Sequence, residues 1–591
     1  MIFLLLGWLA VSCQSPEPPH AGKDVFHLTP HPDPITVPAK LPLVPDTILQ
    51  TAHFQFLSHG VEDTGAIRPY AEKCEAAFEK IQAFADYGKP LDKVRYHLYN
   101  SIEEKGLILQ STAPSQFDLE KWEVHAVLDD IYSQNPCGKE NQLLLRKILG
   151  QPATPILECG LAIHFMENWQ ERGYRYWAAK LFKCDALLPL ADLFDKNFWN
   201  KSSDIILGCQ VALFTDFLIQ QWGKPGFLKK YPLWQPTPAE TATLQPLWEA
   251  YLSAQFPTLP DETKSGEGPA SLPYLKGFNF AHEGYRMHNG YGSKKADMAL
   301  ANMKNSLGAN AVAIIPYSFL QNPNVPVPVP VVKHSGAETD EAVIHTCVSS
   351  KKLGLKVMLK PQIWMGGGRW PGDIEMQDEK DWKAFFKYYN HWIIHYAILA
   401  ELYDVDLLCL GTEMVKTTTE RESDWRKLIQ SARKIYHGNL TYAANWGEEF
   451  EHIKLWDELD YIGLNCYYPL SQKDNPSDRE LVQSFEGILK KVKKVSEQFR
   501  KPVIFTEIGF ASVEAPWKKP HEDWGDLSFN ADHQKRCYEV VFKCIEGKPW
   551  CRGILWWKFP SDMDSRRRRD TDFSPYNKPA EGVVKKWFGK I

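Results

Sequence analysis

Two hydrophobic rhythms divide the chain. From residue 275 to the C-terminus, short apolar runs alternate with amphipathic segments of helical period. The runs are Gly277–Ala281, Ala311–Pro316, Lys356–Pro361, Leu407–Gly411, Leu440–Ala444, Tyr461–Asn465, Val503–Glu507 and Gly553–Trp557. Between them lie Lys294–Leu307, Asp340–Leu353, Glu379–Glu401, Ser423–Tyr436, His452–Glu458, Arg479–Phe499, Ala531–Ile545 and Pro579–Phe588. Strict alternation of strand and helix patterns predicts an α/β fold, a TIM or (β/α)₈ barrel over residues 275–591. A doubly wound open sheet would carry a Gly-rich phosphate turn after an early strand. Here that turn reads His282-Glu283-Gly284-Tyr285.

Residues 46–256 read as a mostly α-helical domain, with helical patterns at Tyr70–Tyr87, Leu119–Ser133 and along Gly160–Phe194. Residues 257–274 combine Pro, Gly, Ser and charge without periodicity and read as a linker. At the N-terminus, the apolar run from Ile2 to Val11 is too short to span a bilayer. It ends in Ala10-Val11-Ser12-Cys13, which resembles a bacterial lipoprotein signal, although no Lys or Arg precedes it. The expectation is a signal over residues 1–13 with Cys13 lipidated, a Pro-rich tether over 14–45, and a place at the bacterial cell envelope, held to the membrane by the lipid. A cleaved secretory signal without lipid is the alternative. No other stretch reads as long and apolar enough to cross a membrane.

Composition narrows the partners. The net charge is −5 and the isoelectric point about 6.4, so no overall basic field invites nucleic acid. The block Arg566–Arg569 sits among Asp562, Asp564 and Asp570 and reads as a solvated loop. The 21 Trp, 24 Tyr and 30 Phe suit sugar stacking and large cores equally. The twelve cysteines contain no repeated C-x-x-C pair, which argues against zinc ribbons. Cys537, Cys544 and Cys551, spaced by seven, read as a bridge or as buried thiols.

Barrel chemistry collects at the C-terminal strand ends. The fourth predicted strand ends at Glu413 and the seventh at Glu507. Such a pair is what glycosidic bond cleavage needs: one carboxylic acid protonates the leaving oxygen and the other attacks or stabilises the anomeric carbon. Their environments must hold one carboxyl protonated and the other ionised. Gln362 and Trp364 end the third strand, and Trp370 follows after Gly366-Gly367-Gly368, a loop without the Lys-Ser/Thr of a P-loop. Asn445 and Trp446 follow the fifth strand. Tyr467 and Tyr468 are adjacent and point to opposite sides, as do Trp556 and Trp557. One member of each pair faces the site; Tyr467 is favoured as a donor to Glu507 and Trp556, over Trp557, as the floor of the subsite.

The segment from Lys276 to Phe588 resembles glycoside hydrolase family 113, in the retaining (β/α)₈ clan A. The resemblance rests on KGFNF (276–280), MLKPQIW (358–364), GTEM (411–414), YIGLNCYYPL (461–470), PVIFTEIGF (502–510) and SPYNKPAEGVVKKWF (574–588). It implies an endo-β-1,4-mannanase acting with retention on polysaccharide or oligosaccharide, with Glu413 as acid/base and Glu507 as nucleophile. Thr412 stands where most clan A enzymes carry Asn, and Gln362 where His is expected. No cofactor and no metal are expected.

In the first half, Leu157-Glu158-Cys159-Gly160-Leu161-Ala162 is similar to the third-ligand helix of gluzincin metallopeptidases, and Val211–Ile219 with Gln221-Trp222-Gly223 to a later helix of that group. The H-E-x-x-H motif that would hold zinc is missing from the chain. His125 and Asp129, four apart, either join Glu158 as ligands or form a helix-surface pair. The reading is a degenerate, gluzincin-like domain. Two rivals to a glycosidase remain: a non-catalytic carbohydrate-binding lipoprotein, and a metallopeptidase-like protein with an accessory barrel.

Overall fold

A computed structural model describes residues 45–61, 65, 67–129, 131, 138–166, 168–258, 269–281, 287–522, 527–564 and 570–590. The proposed lipidation site Cys13, the signal and tether, the turn 282–285 and the block 566–569 lie outside the described residues.

The second half is a closed barrel. Before it come strands β1 (Asp46–Gln50), β2 (Phe54–Ser58), β3 (Val94–Tyr99), β4 (Ser115–Asp118) and β5 (Glu123–Val127). The second half contains β6 (Leu275–Ala281), β7 (Ala311–Ile314), β8 (Tyr317–Leu320), β9 (Lys356–Leu359), β10 (Gln362–Met365), β11 (Leu407–Thr412), β12 (Asn439–Asn445), β13 (Ile462–Asn465), β14 (Val503–Ile508) and β15 (Cys551–Pro560). Strands β6, β7, β9, β11, β12, β13, β14 and β15 pair in parallel and close on themselves, β15 against β6 and β9 against β11. These are the eight runs read from the sequence. Inside, Leu275, Ala311, Met358, Cys409, Ala443, Ile504 and Leu555 form a packed core, with Leu272 beneath them from the segment that enters the barrel.

The outer helices form where the amphipathic segments were read, at Lys294–Asn305, Asp340–Lys352, Glu379–Leu402, Glu422–Ile435, Asp478–Phe499, Ala531–Ile545 and Pro579–Phe588. Their starts are locally encoded. Ser477 accepts from the Glu480 backbone while Glu480 reaches back to Ser477, a reciprocal cap. The segment read as His452–Glu458 differs: a short helix over Glu448–His452 precedes a 3₁₀ turn at Leu455–Asp457.

A second tier sits above two barrel strands. Pro316 and Pro361 cannot donate a backbone hydrogen bond, so the ladder breaks there and restarts. The continuing segments β8 and β10 pair with each other, Gln362 beside Tyr317 and Trp364 beside Phe319. This lifts Gln362 and Trp364 to the barrel rim.

The first half contains helices, at Ile67–Phe84, Ile156–His164, Tyr174–Lys183 and Asp204–Lys230 among others, and also a sheet of order β1-β2-β3-β5-β4. The helix read at Leu119–Ser133 is replaced by strand β5, parallel to β3 and antiparallel to β4. The helix Asp204–Lys230 corrects another reading: it is long and apolar enough to cross a membrane, but most of it is buried inside the fold. It packs against Ile156–His164 and Tyr174–Lys183.

This half docks on the outer helices of the barrel. Lys180 donates to the Lys434 carbonyl at 2.8 Å, Lys434 to the Lys183 carbonyl at 3.0 Å, and Asn390 to the Cys184 carbonyl at 3.2 Å. Ser203 donates to Asp340 at 2.6 Å, and Lys333 pairs with Asp204 at 2.8 Å. Cys537, Cys544 and Cys551 are free, buried thiols.

Candidate active site

Glu413 follows strand β11 with a φ of 51°, a left-handed conformation that a non-glycine residue holds only where its surroundings fix it. Here they do. The Glu413 amide donates to the Ala443 carbonyl at 2.9 Å and the Met414 amide to the Tyr442 hydroxyl at 2.6 Å. Tyr442 in turn donates to Glu449 at 2.7 Å, and the same carboxylate receives the Asn445 amide at 2.5 Å. The chain around Glu413 is thus tied to the neighbouring strand β12.

The Glu413 carboxyl then meets three side chains. Asn465, at the end of β13, donates to Oε1 at 3.0 Å, and the Trp370 indole donates to Oε2 at 3.0 Å. The Asn445 amide group is a further hydrogen-bond partner. Burial holds its pKa above the usual carboxylate range, and the charge of Glu507 pushes the same way. The hydrogen bonds oppose that shift without cancelling it.

Glu507 ends strand β14 and is 6% exposed. Its Oε1 accepts from the Lys360 ammonium and from Gln362 at 2.9 Å, and its Oε2 accepts from the Tyr467 hydroxyl at 2.8 Å. Lys360 is fully buried at the end of β9. An ammonium and two neutral donors converge on this one buried carboxylate and fix the orientation of both its oxygens. Burial and the Glu507 charge push the Tyr467 hydroxyl well above its ordinary pKa, so it stays a donor. Asn465 links the two carboxyls, because its Oδ1 accepts from Thr506, the residue before Glu507, at 2.9 Å.

Aromatic rings surround the pair. Trp446 and Trp557 pack beside Tyr467, Val513 and Phe573, and Trp446 also meets Tyr468 and His521. Tyr468 turns away and accepts from the Gly447 amide. Trp364 is 50% exposed at the rim, its ring edge-on to Tyr317. Trp370 returns to the cleft because Gly367 and Gly368 take φ values of 71° and 68°, which reverse the chain without strain. Gly372 admits its indole: a Cβ there would lie 2.2 Å from the ring.

Trp556 is not in the cleft. It is fully buried and stacks on Tyr538 of the helix Ala531–Ile545 at 3.8 Å, outside the barrel wall. Trp557, with a cis bond to Lys558, takes the place expected of it, and the Lys360 ammonium lies 5.6 Å from its ring. The two tryptophans do point to opposite sides, and because Leu555 faces the barrel interior, alternation along β15 turns Trp556 outward and Trp557 inward. Lys360 and Asn465 were not among the residues expected at the site, and Trp557 was the alternative to Trp556. Lys360 and Asn465 lie at strand ends beside chosen residues, and a charged or amide side chain inside an apolar strand motif was their signal.

In the first half, His125, Asp129 and Glu158 do not form a set. Glu158 pairs with Arg146, Asp129 accepts from the Ile131 amide, and His125 lies on a strand beside His97 and Glu123.

The sequence profile of glycoside hydrolase family 113 matches residues 278–578, just over half of the chain. No curated protein matches. Among solved structures, the chain is similar to a family 113 β-1,4-mannanase in a complex, 26% identical, covering 54% of this chain and 100% of that one at a TM-score of 0.48. A family 113 β-mannanase from Alicyclobacillus acidocaldarius is 27% identical, with 54% and 98% covered and the same TM-score. A β-glucuronidase from Ruminococcus gnavus is 17% identical, with 54% and 50% covered and a TM-score of 0.39.

Proposed function

Because the chain belongs to glycoside hydrolase family 113, and so is an O-glycosyl hydrolase, we propose that it cleaves β-1,4-mannan with retention, Glu507 as nucleophile and Glu413 as acid/base. The observation that carries this reading is the contrast between the two carboxyls. Glu507 receives an ammonium and two neutral donors, whereas burial and a neighbouring negative charge hold Glu413 towards its protonated form. In the first step Glu413 gives its proton to the glycosidic oxygen as Glu507 attacks the anomeric carbon, forming a glycosyl-enzyme. In the second, Glu413 takes a proton from water, which attacks the same carbon and releases Glu507. Tyr467 and Lys360 keep the Glu507 carboxylate oriented through both steps. Gln362, Trp364, Trp370, Asn445, Trp446 and Trp557 line the path of the polysaccharide, and the resemblance of the strand motifs to family 113 is the support for mannan.

The test is a panel of β-1,4-mannan, β-1,4-glucan and β-glucuronide substrates with product analysis by NMR. The expected result is mannan cleavage in which the first-formed anomer is β; an α first product overturns retention, and hydrolysis of glucan alone overturns the sugar. Glu507→Ala abolishes turnover with the fold intact. Glu413→Ala slows cleavage least for aryl glycosides with good leaving groups, and equal losses for every leaving group count against its role as the acid.

Two further parts of the reading rest on sequence. Cys13 as a lipidated residue would hold the enzyme at a bacterial envelope; the support is the apolar run before Ala10-Val11-Ser12-Cys13, and release of a Cys13→Ser variant from the membrane fraction tests it. The first half is read as a gluzincin-like scaffold without peptidase activity. Its support is the missing H-E-x-x-H and the pairing of Glu158 with Arg146, and casein hydrolysis by Glu507→Ala protein would overturn it.

A further inference from the structure

One face of the sheet in the first half carries a buried polar cluster. Strands β3 and β5 run in parallel with Arg95 beside Glu123 and His97 beside His125. Side chains two apart on a strand share a face, so His97, Glu123 and His125 project together. All three residues are at most 9% exposed. Their ligand atoms lie within 4.8 Å of one another. His97 Nε2 is 3.6 Å from one Glu123 oxygen, and His125 Nε2 is 3.5 Å from the other.

A buried polar group without a partner costs about 1–3 kcal/mol. His97 Nε2 is such a group among the described residues: it is buried and has no hydrogen-bond partner, yet points at Glu123. The far nitrogens are occupied. His97 Nδ1 lies 2.8 Å from His59 Nε2, and His125 Nδ1 lies 2.9 Å from the Tyr99 hydroxyl. With protons on Nδ1, each imidazole donates outward and turns a lone pair on Nε2 inward, the arrangement that orients a metal-bound histidine. Arg95 hydrogen-bonds Glu123 and leaves the carboxylate a free oxygen.

We propose that His97, Glu123 and His125 bind one divalent transition-metal ion, Zn²⁺ foremost, with water or an outside donor in the fourth position. Two neutral imidazoles and one carboxylate suit a borderline cation. Bond lengths of about 2.0–2.2 Å around a tetrahedral ion place ligand atoms about 3.3–3.5 Å apart. The His125 nitrogen already stands 3.5 Å from the oxygen that Arg95 leaves free, and the three ligand atoms lie within 4.8 Å of one another. The cluster lies in the first half, on a sheet separate from the barrel, and its ligands are supplied by neighbouring strands, so the ion would clamp β3 to β5.

The test uses the untagged full chain, stripped with a chelator and dialysed. Titration with Co²⁺ is expected to give visible absorption near 500–700 nm that saturates at one equivalent and is displaced by Zn²⁺, with a raised Tm. His97→Gln and His125→Gln should each weaken binding at least 100-fold with unchanged far-UV circular dichroism. If either fails to fold, Tyr99→Phe serves instead, with affinity reduced about tenfold by loss of the outer hydrogen bond. No uptake at micromolar Co²⁺ or Zn²⁺, or uptake that none of these variants changes, overturns the proposal.

Discussion

Asn465 donates to Glu413 at 3.0 Å while its own oxygen accepts from Thr506, next to Glu507, so one amide is held between the two carboxyl-bearing strands. That bond favours the ionised form of Glu413 and works against burial. In the proposed mechanism Glu413 must be protonated to act, so the rate is expected to fall as pH rises through its raised pKa. Asn465→Ala removes a lowering contact, and the alkaline limb of kcat against pH is expected to move up by roughly one unit, given about 1.5–3 kcal/mol for a hydrogen bond to a charged group. An unmoved limb would separate Asn465 from the proton on Glu413.

Trp370→Phe deletes the indole donor but keeps a ring. The alkaline limb should move in the same direction as for Asn465→Ala, with kcat down about tenfold. Gly372→Ala crowds the same indole without touching Glu413, so it should reproduce the loss of rate with little change in Tm. Pre-steady-state rates on an aryl mannoside check both.

Lys360→Met leaves the buried Glu507 carboxylate without its ammonium. Removing one partner of a buried pair costs about 3–5 kcal/mol. Urea unfolding at pH 7 should register that loss, and kcat/KM should fall at least 100-fold. Lys360→Arg is not expected to restore the rate, since a planar fork does not fit the fully enclosed site of a point charge.

The adjacent tryptophans separate packing from binding. Trp556→Ala opens a cavity between barrel and helix and should cost about 3–5 kcal/mol of stability. Trp557→Ala should leave Tm within a few degrees of the parent while impairing turnover of mannan oligosaccharides. The reverse pattern would exchange their roles.

The barrel was legible because each of its strands is a short apolar run and each outer helix has one apolar face. The rim was less so. Adjacent Trp556 and Trp557 had to face opposite ways, but which one faces inward depends on Leu555 lying in the barrel interior, and in an all-apolar run the sequence does not mark that. The second tier begins after prolines, where a strand reading stops. The sheet of the first half was hidden for another reason: its strands alternate apolar residues with Arg95, His97, Glu123 and His125, and the last three are buried against one another rather than turned to solvent. The alternation in β5 spans only five residues, and within Leu119–Ser133 its buried polar side chains read as the polar face of an amphipathic helix.

The contacts between the halves, made through backbone carbonyls as at Lys180 and Lys434, have a consequence for cooperativity. A domain that grips the barrel helices by their main chain cannot unfold without unsatisfying groups on both sides. The two halves are therefore expected to melt in a single calorimetric transition, and a cavity cut into the buried helix Asp204–Lys230 would reach the glycosidase as lost abundance in the cell, with its cleft untouched.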